Sequence, residues 1–98
     1  MDIILTRLSD QTYDVNIKHQ LVRHSPCGFS WGYEGSGCAD LALNILLLYM
    51  PERDANNLYQ AFKREVIAHI PYNGGKIKDQ MIRDWIQMKT GQLREEDK

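Results

Sequence analysis

Residues 23–50, RHSPCGFSWGYEGSGCADLALNILLLYM, decide how the chain is read. Gly28, Gly32, Gly35 and Gly37 are interleaved with Phe29, Trp31 and Tyr33, and nearly unbroken apolar sequence follows. The apolar half, residues 39–49, suits a helix that is greasy almost all round; its polar stripe is Asp40 and Asn44, one helical turn apart. Such a helix needs cover on several sides and is therefore the central core element. Gly37 or Ser36 supplies its N-cap. With Gly37 as cap, Asp40 falls at the third helical position, near free N–H groups and the positive end of the helix dipole. Pro51 stops the helix. In the preceding GFSWGY, an extended backbone would put Phe29, Trp31 and Tyr33 on one side. The glycines then turn the chain while the aromatics seal one end of the core.

Toward the N-terminus, DIILTRL reads as a strand with Ile3, Leu5 and Arg7 on one face. Turn-forming residues 9–12 follow, and then Tyr13, Val15 and Ile17 alternate with Asp14 and Asn16 as in a half-buried strand. The two runs form a hairpin. In residues 18–26, His19, Leu21 and Arg23 alternate with Gln20, Val22 and His24, which allows a third short strand ended by Pro26 and the restricted Ser25 before it.

Toward the C-terminus, a turn at PERD leads to a second helix over residues 54–68, with Asp54 as N-cap and Ala55, Leu58, Tyr59, Phe62 and Val66 as its buried stripe. Pro71 and the NGG at 73–75 break the chain sharply. KIK is either a short strand or the lead into a third helix over 79–89, whose apolar stripe is Met81, Ile82, Trp85 and Ile86 and which Gly91 ends. Strands first and helices after give an α+β fold: a small antiparallel sheet, the N-terminal hairpin plus one or two short strands, packed against about three helices. Residues 1–91 form this single domain, and residues 92–98 read as a flexible, solvated tail.

The bulk numbers agree. A chain of 98 residues with 43% hydrophobic and 26% charged residues is one ordinary globular domain. A formal net charge of −1 calls for neither a nucleic acid nor a membrane. The apolar run at 41–50 is far short of the roughly 20 residues that span a bilayer. The start, MDIILTRLSD, lacks the basic segment of a signal peptide, so a cytoplasmic location is expected. There Cys27 and Cys38 are expected as free thiols rather than a disulfide.

The pattern His24-Ser25-Pro26-x-Gly28-Phe29-x-Trp31-Gly32-Tyr33-x-Gly35-Ser36-Gly37-x-Ala39-x-Leu41-Ala42-Leu43 resembles the signature of an uncharacterised domain family of short bacterial, plasmid and phage proteins. The resemblance continues through Leu58-Tyr59-Gln60-x-Phe62-Lys63-Arg64-Glu65-Val66 to Ile82-Arg83-x-Trp85-Ile86, most of the chain after Leu21. It brings no established activity. Members commonly carry proline where this chain has Cys38; proline suits the first helical position, so the resemblance implies a helix-start slot rather than a required thiol.

The residues bear on five chemistries. GYEGSGCAD has the outline of an anion-binding loop, but it lacks the Lys and Ser/Thr of a P-loop and carries Glu34 and Asp40; glycines that simply turn the chain explain it better. His24-x-x-Cys27 has ligand-like spacing, with Cys38 and His19 or His69 as further donors, yet zinc wants two close pairs and only one exists; no metal and no cofactor are expected. Ser25, Ser36, Cys27 or Cys38 as nucleophile, with His24 or His69 as base and Asp40 as orienter, would make a triad, but no Gly-x-Ser-x-Gly elbow is present. Lys63, Arg64, Lys76, Lys78, Arg83 and Lys89 outnumber Glu65, Asp79 and Asp84 and give a mildly basic side. Finally, Trp31, Tyr33 and Tyr72 are of the types enriched at protein interfaces.

The expectation is a non-enzymatic accessory protein that binds another macromolecule, foremost a protein, through Trp31, Tyr33, Glu34, Ser36 and Tyr72. The alternative is a nucleic-acid-binding module working through Lys63, Arg64, Lys76, Lys78 and Arg83.

Overall fold

A computed structural model describes residues 1–9, 12–24 and 28–96. The alternation near the N-terminus sets the sheet. Strand β1, Ile3–Ser9, buries Ile3 and Leu5 and half-buries Arg7. It pairs antiparallel with β2, Thr12–Val15, in a register that sets Leu5 opposite Val15 and Arg7 opposite Tyr13. On its other side it pairs antiparallel with β3, Gly74–Ile77, placing Ile3 opposite Ile77 and Leu5 opposite Gly75. The order is β2-β1-β3, so KIK contributes to a strand. Gly74 makes this pairing possible: its φ is 98°, and a Cβ there would collide with the Leu5 carbonyl.

Residues 18–24 do not form the third strand that their alternation allows. Their backbone bonds to helix side chains instead. The helix concerned, α1, spans Ser36–Leu46, and residues 37–46 are all buried. Asn44 accepts the Leu21 N–H at 2.9 Å and donates through Nδ2 to the Leu21 carbonyl at 2.9 Å, as a neighbouring strand would. The proposed stop at Pro26 lies outside the described residues.

The helix starts earlier than its sequence suggests. Gly35, in extended conformation, is the N-cap, with no side-chain capping bond. Cys38 is therefore the third helical residue and Asp40 the fifth; Cys38 is a buried free thiol. The Asp40 carboxylate does not cap the helix but turns toward residues 19–24. After Leu46 the chain turns, and Pro51 serves as N-cap of α2, Glu52–Glu65. Asp54 thus lies in the first turn rather than at the cap. Helix α2 buries Ala55, Leu58 and Phe62 against the core and ends at Val66, before a 3-10 turn at Ile67–His69.

Helix α3, Asp79–Glu96, runs through Gly91 instead of stopping there. It buries Ile82 and Trp85, but Met81 is 40% exposed and lies off the stripe. Phe62 and Trp85 meet edge to face with ring centroids 4.9 Å apart, and Lys89 Nζ reaches Glu65 Oε2 at 2.8 Å across the same joint.

Residues 28–33 are irregular, and their three aromatics do not share one side. Phe29 and Trp31 enter the core, Trp31 at 2% exposure, whereas Tyr33 is 55% exposed. Trp31 Nε1 donates to the Pro71 carbonyl at 3.0 Å and the Tyr72 carbonyl at 3.2 Å, while its ring meets Tyr13 edge to face at 5.4 Å. The expected seal is therefore made by Phe29 and Trp31. The chain then turns outward at Gly32, whose φ is 85° and whose N–H donates to the Ile67 carbonyl at 3.0 Å. Among the described residues, no helix is long and apolar enough to cross a membrane.

Candidate functional site

Where Trp31 seals the core, its outer edge becomes the floor of a surface groove of about 310 Å³, lined by Arg7, Tyr13, Ser30, Trp31, Gly32, Tyr33 and Tyr72. Each element has a reason to contribute. Arg7 and Tyr13 are cross-strand partners on the same face of the hairpin. The Gly32 turn swings Tyr33 to the rim, and the turn before β3 supplies Tyr72, 57% exposed. The Arg7 guanidinium carbon sits 3.8 Å from the centroid of the Tyr72 ring, 5.0 Å from that of Tyr13 and 5.1 Å from that of Trp31. A cation against aromatic faces is attracted by their quadrupoles. Arg7 Nε donates to the Tyr72 carbonyl at 2.7 Å, which fixes the plane of the guanidinium.

A second constellation surrounds Asp40, which is fully buried. Its carboxylate accepts the His24 N–H at 2.9 Å and the Arg23 N–H at 3.2 Å, and lies 2.9 Å from His19 Nε2. A carboxylate only accepts, so His19 holds a proton on Nε2. The His19 ring packs on Phe29 at 4.3 Å. The His24 ring goes elsewhere, stacking on Tyr59 and meeting its hydroxyl at 2.8 Å. Arg23 reaches α2 through Glu52 at 3.0 Å and Asn56. Asp40 thus orients a histidine, but it is His19 and not His24 or His69. Among the described residues no serine or cysteine bonds to a histidine ring; Ser25 and Cys27, and with Cys27 the His24-x-x-Cys27 spacing, lie outside them. The network's evident work is to fasten residues 19–24 onto α1 and α2.

The sequence model of the Family of unknown function (DUF6166) matches residues 3–88. The chain belongs to that family. The matched span contains the whole groove and the whole Asp40 network. No curated protein and no solved structure matches the chain significantly.

Of the five residues expected to bind a partner, this DUF6166 member brings Trp31, Tyr33 and Tyr72 to the groove, Trp31 as buried floor rather than exposed anchor. Glu34 and Ser36 are exposed but do not line it. Sequence reading missed Arg7, Tyr13 and Ser30; the cross-strand register of a seven-residue and a four-residue strand was the one signal that could pair the first two. The basic residues are dispersed: Lys63 and Arg64 near the end of α2, Lys76 in β3, Lys78 just after it, Arg83 in α3. Arg83 is bound to Asp79 at 2.7 Å, and Lys89 to Glu65. These pairs hold the Glu65 and Asp79 carboxyls below their ordinary range: Lys89 leads at Glu65, while the Tyr49 hydroxyl leads at Asp79 and Arg83 follows.

Proposed function

We propose that this DUF6166 member is a non-enzymatic, cytoplasmic accessory protein of bacterial, plasmid or phage origin that docks a partner protein on the groove around Arg7, within a regulatory or host-defence complex. The observation that carries the reading is the pair Tyr33 and Tyr72, 55% and 57% exposed, flanking a concave surface with a rigid aromatic floor. Half-exposed tyrosines over an ordered base are the residue type and setting of interface anchors, because they add contact area with little loss of side-chain entropy. Origin and setting rest on the resemblance of residues 24–43 to short mobile-element proteins.

The test is affinity capture from host lysate with three baits: the wild type, Tyr33→Ala/Tyr72→Ala, and Leu48→Ala as an exposed control outside the groove. A partner held by the wild type and the control but lost with the double variant supports the reading. A partner retained by all three moves the interface elsewhere. The alternative, a nucleic-acid module, draws on Lys63, Arg64, Lys76 and Lys78, which form no ion pair among the described residues. It requires binding to DNA or RNA that weakens steeply with salt.

A further inference from the structure

Resting on that reading of the groove, we infer that the partner segment presents an aspartate or glutamate side chain next to an apolar or aromatic residue, and that Arg7 receives its carboxylate. Among the described residues, no acceptor meets the two Nη groups of Arg7. Other arginines do have carboxylate partners: Arg23 is held by Glu52 and Asn56, Arg83 by Asp79, and Arg53 lies 3.9 Å from Asp54. Among the described residues that line the groove none is a carboxylate; besides Arg7 they are aromatic or small. The guanidinium is also ordered in advance, by its Nε bond to the Tyr72 carbonyl and by three surrounding rings.

A fixed planar fork whose two Nη groups meet no acceptor among the described residues matches a carboxylate bidentately end-on, and its ordering cost is met in the free protein. The rims formed by Tyr33 and Tyr72 offer apolar area to the residue beside that carboxylate. Arg7 is the one cation among the groove's described lining residues, and in a chain of net charge −1 it suits one carboxylate better than the repeated phosphates of a nucleic acid.

The test is selection of random peptides on the full chain by phage display, followed by fluorescence polarisation with the synthesised winners. The expected winners carry Asp or Glu beside an aromatic or large apolar residue. Changing that acid to its amide in the peptide should weaken binding about tenfold or more, a readout independent of any variant's folding. Arg7→Lys, which keeps the charge but not the fork, should weaken it several-fold. If winners lose affinity with Tyr33→Ala yet show no acidic residue, or ignore Arg7→Lys, the carboxylate inference is overturned and the groove reading stands. If winners ignore both Tyr33→Ala and Tyr72→Ala, the groove reading falls and takes the inference with it. Recovery of no peptide, or oligothymidine binding abolished by Arg7→Gln, also overturns the inference.

Discussion

Asp40 is the residue on which the loop before the glycine-rich segment depends. Its carboxylate is fully buried and draws in the N–H groups of Arg23 and His24 together with the His19 ring. Removing it leaves three part-buried donors without this acceptor, and a donor left unsatisfied away from water costs about 1–3 kcal/mol. Asp40→Ala is therefore expected to lower unfolding stability by about 3 kcal/mol or more, against about 1 kcal/mol for His19→Ala, whose ring is partly solvated. Urea denaturation of both variants checks this; equal, small losses would mean that the network does not hold the loop. The polar stripe of Asp40 and Asn44 was legible from their spacing alone. The partner of Asp40 was not: His19 lies 21 residues away and His24 is nearer in sequence, and no local pattern chooses between them.

The same stripe explains which elements form. Residues 18–24 carry strand-like alternation, yet Asn44 satisfies Leu21 in both directions, and helix side chains take the place of a neighbouring strand. Asn44→Ala should cost about 2 kcal/mol and make the Leu21 amide exchange markedly faster, while amides in the middle of α1 stay protected. Unchanged exchange at Leu21 would show that other contacts fasten the segment. At the joint of α2 and α3, Phe62→Ala or Trp85→Ala should each cost about 3–5 kcal/mol in equilibrium unfolding, the range for large aromatics in cores. A variant at either position with near-native stability would place that ring outside the core. Hairpin, central helix and these two amphipathic stripes were readable because burial imposes periods of two and 3.6 on the sequence. Boundaries were less so. Gly91 carries the signal of a helix end, but α3 continues through it, since glycine lowers helix stability without forbidding the conformation. The groove was half readable: Tyr33 and Tyr72 announce themselves as aromatics in turns, whereas Arg7 and Tyr13 join them only through strand register.

Across the whole molecule, distant parts of the chain are tied at Asp79. Its carboxylate accepts the Tyr49 hydroxyl and Arg83 Nε and lies 2.9 Å from the Met1 amino group, while its N–H donates to Asp2 Oδ1 at 2.8 Å. The first residues, the turn after α1 and the start of α3 thus share one polar knot. Desolvation first, and the bond to Asp79 second, push the Tyr49 hydroxyl from its ordinary 10.0 up to about 12. Since the folded form holds this proton more tightly than the unfolded chain, its stabilisation is complete below pH 10.0 and is lost as pH rises toward about 12. Asp79 acts in the opposite sense: its carboxyl is held below the ordinary 3.8, so its contribution is present above that value and fades as the solution becomes more acid. Tyr49→Phe separates the two limbs. It should lower stability near neutrality, because the hydroxyl bond to Asp79 is gone, and it should flatten the alkaline fall between pH 10.0 and about 12. The acid limb should persist in weaker form, because Arg83 and the amino group still favour the Asp79 carboxylate. Urea midpoints of wild type and variant across both windows give the comparison, with other alkaline-titrating groups common to both chains. Parallel alkaline slopes would show that Tyr49 and Asp79 are not joined in solution, and the knot would then reduce to the Arg83 and amino-group contacts.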